Sequence, residues 1–184
     1  AGNVKSVQNA LNKLGFEAVI TSDIETIKNA EKVIFPGVGE ASSAMKKLKE
    51  RGLDIVIPNL KQPVLGICLG MQLMCNASEE GNTKALGIFD CEVKLFPNSD
   101  IVPHMGWNNV SEMKGKLLEN ISETDNFYFV HSYYAEVGES TTSVCDYITS
   151  FSATLEKDNF YAAQFHPEKS GDAGFKLLEN FLKI

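Results

Sequence analysis

The stretch VLGICLGMQLMC, from Val64 to Cys75, joins two different patterns across one cysteine. Before Cys68 the run PVLGI is short, apolar and bounded by proline, which reads as a buried strand. From Leu69 to Cys75 the pattern starts a helix. Gly66 and Gly70 bracket the cysteine and leave room for a tight strand-to-helix turn. A chain with such a junction must bring a strand end and a helix start to one point.

The first half of the chain repeats that alternation. Val4, Val7, Leu11 and Leu14 lie at helical spacing, and Gly15 follows as a stop. FEAVIT (Phe16–Thr21) reads as a strand, and SDIETIKNA as a short helix capped by Ser22 or Asp23. Lys32–Phe35 reads as a strand that ends in PGVGE, and Ala41–Arg51 as a helix closed by Gly52. Short apolar strands alternating with helices predict a mostly parallel central sheet with helices on both faces. The second half holds strand-like runs separated by turns, with no long helix before Gly174–Leu182. Antiparallel strands added to the parallel core are expected there. The helical pattern begins almost at residue 1, so a strand is expected to precede it outside the sequence given. No repeat or linker divides residues 1–184, which predicts a single domain.

Composition narrows the function classes. At 184 residues a chain can bury roughly 70% of its unfolded surface, enough for a real core. The net charge of −7 argues against a nucleic-acid or anionic-membrane surface. Four cysteines without C-x-x-C spacing and only three histidines make a zinc site, or any other metal site, unexpected. The chain is too large and too poor in cysteine to need a disulfide framework, which points to a reducing, cytoplasmic setting. No apolar run approaches the length of a membrane span, and no signal peptide is visible.

Gly66-x-Cys68-x-Gly70 has the logic of a nucleophile elbow. The turn pushes the side chain out at the carboxyl end of a strand, and the start of the next helix favours a thiolate. A buried structural cysteine is the competing reading. A partner base decides between them, and His166 in QFHPE is the candidate. Proline blocks a helix and favours an extended residue before it. In an extended segment His166 and Glu168 point to the same face, where the carboxylate can orient the imidazole.

These residues carry a resemblance. GICLGMQ followed by a C-terminal HPE resembles a class I glutamine amidotransferase, a flavodoxin-like α/β fold. IFPGVG (Ile34–Gly39), GICLGMQLM (Gly66–Met74), PHMGWN (Pro103–Asn108), FVHSYY (Phe129–Tyr134), QFHPEKSG (Gln164–Gly171) and the opening AGNVKSV resemble the glutaminase subunits of imidazole glycerol phosphate synthase. The resemblance covers nearly the whole chain.

The resemblance implies that Cys68 attacks the side-chain amide of L-glutamine, that His166 relays protons to the leaving ammonia, and that Glu168 holds His166. It implies an oxyanion hole from the backbone N–H of Val38 or Gly39 with that of Leu69. The glycines of PGVG permit a peptide flip that forms or removes that hole. Gln72 contacts the substrate, and Glu80, His131, Ser132 and Tyr133 complete its pocket; Glu80 would accept from the ammonium and the Ser132–Tyr133 backbone would donate to the carboxylate. His131 is expected to line the pocket rather than act as a second base. Met105, Trp107, Tyr128 and Lys169 would face a partner cyclase subunit in a heterodimer, which takes up the ammonia for histidine biosynthesis. No cofactor is expected. Two other readings compete: a paralogous glutaminase feeding another synthase, such as one of sugar amination, and a stand-alone cysteine hydrolase. A silent binding protein would not need Cys68, His166 and Glu168 together.

Overall fold

The computed structural model describes residues 2–184. Its central sheet has the strand order β1-β2-β11-β10-β9, formed by β1 (Val33–Gly37), β2 (Val64–Cys68), β11 (Phe160–Ala163), β10 (Thr149–Lys157) and β9 (Thr141–Tyr147). β1, β2 and β11 run parallel, and β10 and β9 extend the sheet antiparallel. A parallel core with antiparallel strands appended is thus what folds.

Period-two alternation sends each strand's side chains to two cores. Leu65, Ile67, Tyr161, Ala163, Phe151 and Ala153 face one cluster, with Val7, Ala10 and Leu11 of α1 (Gly2–Lys13) and Leu177, Leu178 and Phe181 of α6 (Gly171–Leu182). Val64, Phe160, Ala162 and Leu155 face the other, with Ala41, Met45 and Leu48 of α3 (Ala41–Glu50), Leu53 of α4 (Leu53–Val56) and Leu69, Met71 and Leu73 of α5 (Leu69–Leu73). Helices therefore cover both faces. α2 (Ile24–Asn29) starts at Asp23, whose carboxylate accepts from the Thr26 N–H, so Asp23 rather than Ser22 is the cap.

Two smaller sheets fill the second half. β3 (Ala77–Ser78), β4 (Thr83–Lys84), β5 (Glu92–Leu95) and β8 (Tyr133–Ala135) form one, in the order β4-β3-β5-β8. β6 (His104–Asn109) and β7 (Asn126–His131) form an antiparallel pair that sets Trp107 opposite Tyr128 and His104 opposite His131.

One expected element is absent. Phe16–Thr21 is irregular, and Phe16, Val19 and Ile20 stand in solvent, Val19 being 78% exposed. It is tied to α1 instead, by the Phe16 N–H on Leu11 O and by Gln8 Nε2 on Ala18 O. Apolar β-propensity makes a strand only where a neighbouring strand offers a ladder. The helix after the elbow is also shorter than its pattern, ending at Leu73. All four cysteines are free thiols, with the Cys75 and Cys91 sulfurs 3.3 Å apart.

Candidate active site

The junction at Cys68 is a sharp elbow. Cys68 ends β2 with φ 55° and ψ −112°, a conformation that a non-glycine residue adopts only under constraint. The bracketing glycines supply the constraint through close packing. A Cβ on Gly70 would lie 1.9 Å from the carbonyl oxygen of Phe35, and one on Gly66 would lie 2.4 Å from Met74 Sδ and 3.0 Å from Met71 N. α5 thus lies directly on the backbones of β1 and β2, and a side chain at either glycine would lift it off.

The parallel register sets Gly37 opposite Cys68. The chain leaves β1 there as Val38 and Gly39, so the PGVG loop begins beside Cys68. Gly39 has φ +107° and open space around its Cα, and Val38 is exposed. The next residue, Glu40, caps α3 by accepting from the Ser42 and Ser43 N–H groups. The Ser42 hydroxyl and these N–H groups hold its carboxyl down to about 2. The loop is therefore pinned at both ends and open at Gly39.

His166 follows β11, the strand that pairs with β2 on the side away from β1. Its Nδ1 lies 3.1 Å from Glu168 Oε1, and both side chains are buried. The expected extended segment does not carry this pair. Pro167 opens a single 3-10 turn, Pro167–Lys169, and that turn folds Glu168 back onto the ring. Burial pushes the imidazole pKa down, but hydrogen bonds to the Cys68 sulfur and to Glu168 outweigh it and bring it up to about 9. An imidazole so held is a cation at neutral pH.

A cavity of about 300 Å³ opens over Cys68, lined also by Val38, Gly39, Leu69, Gln72, Glu80, Val130, His131, Ser132, Tyr133 and His166. The structure brings together every expected nucleophile, base, oxyanion and pocket residue except Glu168, which stands behind His166. Glu80 accepts from the Ala41 N–H at 2.7 Å through Oε1, at the start of α3. Burial raises its pKa, the Ala41 N–H opposes this, and neighbouring Glu40 adds to it.

Both ring nitrogens of His131 are engaged within the protein. Its Nδ1–H donates to Tyr133 O at 2.7 Å, and its Nε2 accepts from His104 Nδ1–H at 3.0 Å. Burial pushes His131 down to about 3 and His104 to about 4, so both rings are neutral at pH 7. The pair supports the Tyr133 carbonyl from below. Motif reasoning on the sequence passes over His104. Its only signal there is its place in PHMGWN, at the alternate position to two exposed side chains.

Gln164 also escapes a reading of the sequence as a functional residue. It is fully buried, its Oε1 accepts from Gln72 Nε2 at 2.9 Å, and its Nε2 donates toward Cys68 Sγ at 3.8 Å. Gln72 Nε2 donates as well to Tyr133 O at 2.9 Å.

The residues expected at a partner surface sit apart from the cavity. Met105 and Trp107 on β6 are 63% and 58% exposed, so the only tryptophan is outside the core. The Trp107 and Tyr128 rings meet edge to face with centroids 5.9 Å apart, and Lys169 is exposed on the turn after His166.

Known proteins resemble this chain over its full length. The family described as glutamine amidotransferase class-I matches residues 1–184. The protein named imidazole glycerol phosphate synthase subunit HisH from Bacteroides fragilis (strain YCH46) is 59% identical over 187 residues, spanning 100% of this chain and 95% of its own. Its namesake from Haemophilus influenzae (strain ATCC 51907 / DSM 11121 / KW20 / Rd) is 46% identical over 183 residues, spanning 98% and 92%. Among solved structures, one described as a glutamine amidotransferase superposes with a TM-score of 0.74 at 20% identity, covering 97% of this chain and 92% of that one. Another, described as a glutamine amidotransferase from Thermotoga maritima, gives 0.61 at 16% identity over 96% and 76%. The chain belongs to the class I glutamine amidotransferases.

Proposed function

We propose that this protein is the glutaminase subunit of imidazole glycerol phosphate synthase and that Cys68, His166 and Glu168 are its catalytic triad. One observation carries the assignment of the triad: a strained cysteine elbow shares one cavity with a buried histidine that a buried carboxylate orients. The near-full-length relatives carry the assignment of the enzyme.

The Cys68 thiolate attacks the δ-carbon of L-glutamine. The carbonyl oxygen becomes an oxyanion, held by the Leu69 N–H and by a donor from Val38 or Gly39. His166 passes its proton to the departing nitrogen, the C–N bond breaks, and ammonia leaves a thioester on Cys68. Water then attacks the thioester with His166 as base, releasing glutamate and the free thiolate. Gln72, Glu80, Ser132 and Tyr133 hold the amino-acid end of the substrate. Glu80 is suited to the α-ammonium because one oxygen is fixed by Ala41 and the other is left for the ligand.

The ammonia passes to the cyclase partner across the face of Met105, Trp107, Tyr128 and Lys169. In water it would protonate and lose its nucleophilicity, which is the physical reason for direct transfer. We place the protein in the cytoplasm. No described helix is long and apolar enough to cross a membrane, and its thiols are unpaired.

The test is glutamine hydrolysis by the protein alone and then with the cyclase plus its ribonucleotide ligand. Low activity alone and strong activation in the complex are expected. High activity alone, or none with that cyclase, would assign the chain to another acceptor enzyme or to independent hydrolysis. Cys68→Ala is expected to abolish hydrolysis and to keep cyclase binding; hydrolysis by that variant would overturn the mechanism.

A further inference from the structure

A carboxamide buried to zero exposure is costly unless both of its ends are satisfied. Gln164 satisfies both, and its two partners are the groups on which the reaction depends: Gln72 in the substrate pocket and the sulfur of Cys68. Leucine or methionine would fill the same volume at lower desolvation cost, so packing alone does not account for a glutamine here.

The chain of hydrogen bonds has a definite direction. Tyr133 O is a backbone carbonyl and can only accept, so Gln72 must present Nε2 to it. The same nitrogen reaches Gln164, which must therefore present Oε1 to Gln72. Gln164 then has only its NH₂ left for Cys68, and a thiolate is an acceptor. Gln72 Oε1 is in turn the end left available to the substrate. His131 and His104 hold the far anchor, because the Tyr133 carbonyl also receives the His131 Nδ1–H.

We propose that Gln164 is a positioning residue that donates to the Cys68 thiolate and, through its other end, fixes the orientation of the Gln72 carboxamide toward substrate. This rests on the reading of Cys68 as the nucleophile. The donated hydrogen bond favours the charged sulfur of the free enzyme and weakens when the sulfur becomes a neutral thioester. Gln164 thus couples nucleophile charge to pocket geometry, two properties that a filler residue would leave independent.

The experiment uses Gln164→Met, which keeps the length and removes both donor and acceptor. Alkylation of Cys68 by iodoacetamide is followed against pH on the full chain, with the modified residue identified by mass. Steady-state hydrolysis of L-glutamine is measured in parallel. The midpoint of alkylation is expected to move up by roughly half to one pH unit. The KM for glutamine is expected to rise several-fold as the Gln72 amide loses its anchor. If Gln164→Met fails to fold, Gln164→Glu serves: it keeps the volume and an acceptor for Gln72, sets an oxygen against the sulfur, and is expected to alkylate about tenfold more slowly at pH 8. An alkylation profile that matches wild type in the folded variant overturns the proposal, even if stability falls. Cys68→Ala separates the two readings. If that variant still hydrolyses glutamine, the nucleophile assignment is wrong; if it is dead while Gln164 variants alkylate as wild type does, only the role of Gln164 is wrong.

Discussion

At Gly70 the absence of a side chain is a packing requirement. The helix that follows Cys68 sits so close to β1 that a methyl group would overlap the Phe35 carbonyl. Backbone atoms cannot move aside as a flexible side chain can. Gly70→Ala is therefore expected to displace α5 and cost about 1–3 kcal/mol, the range for overpacked cores. Denaturant unfolding reads this directly, and an unchanged midpoint would show that α5 can lift without loss. Gly39 is the contrasting case. A Cβ there meets nothing within 4 Å, and only its φ of +107° resists substitution. In the sequence the two glycines look alike, one beside the cysteine and one in PGVG. The structure separates a glycine needed for contact from one needed for backbone conformation. Gln164 teaches the same lesson from the polar side: nothing in the letters QFHPE says that the glutamine, rather than the phenylalanine, faces the sulfur.

β6 and β7 form the element that joins the outer surface to His166. Alternation along β6 buries His104 and exposes Met105 and Trp107, so one strand serves both the pocket support and the outer face. β7 is bonded directly to the histidine segment. The Tyr128 carbonyl accepts from the His166 N–H at 3.0 Å, and the Tyr128 N–H donates to Ser170 Oγ, which in turn donates to His166 O. A partner that shifts Tyr128 therefore shifts the backbone that carries His166. Trp107→Ala is expected to weaken cyclase binding by tenfold or more, about 1.4 kcal/mol. Its thermal midpoint is expected to stay close to wild type, because the ring already stands in solvent. Titration calorimetry beside a thermal melt separates the two; an unchanged Kd would remove Trp107 from the interface. Other elements depart from their local patterns for reasons of context. FEAVIT has the residues of a strand but no ladder to join, and the turn that brings Glu168 to His166 is helical rather than extended, because Pro167 can open a helical turn as readily as it can end one.

Over the whole molecule, the buried pair His104 and His131 packs among the rings of one apolar cluster, and its protonation is linked to folding. His104 and His131 are held well below the ordinary histidine value, at about 4 and about 3, by burial first of all. Unfolded histidines titrate near 6.5. Below that pH the unfolded chain binds protons that these two folded rings refuse, so their contribution to stability is full above about 6.5 and is lost as pH falls toward 4. The thermal midpoint is expected to drop over this window. His104→Gln is expected to lower the midpoint at pH 7 but to flatten its fall with acid; equal slopes in the two proteins would remove His104 from the linkage. The linear order of residues suffices for the α/β alternation, the strand-to-helix elbow at Cys68 and the candidate residues of a glutaminase, because these follow from spacing, glycine placement and motif chemistry along a continuous chain. Which side chains meet is settled instead by folding. β2 and β11 lie side by side although nearly a hundred residues separate them, and their parallel pairing delivers His166 and Gln164 to Cys68. Hydrogen-bond partners at that separation are set by register and burial, which no local pattern records.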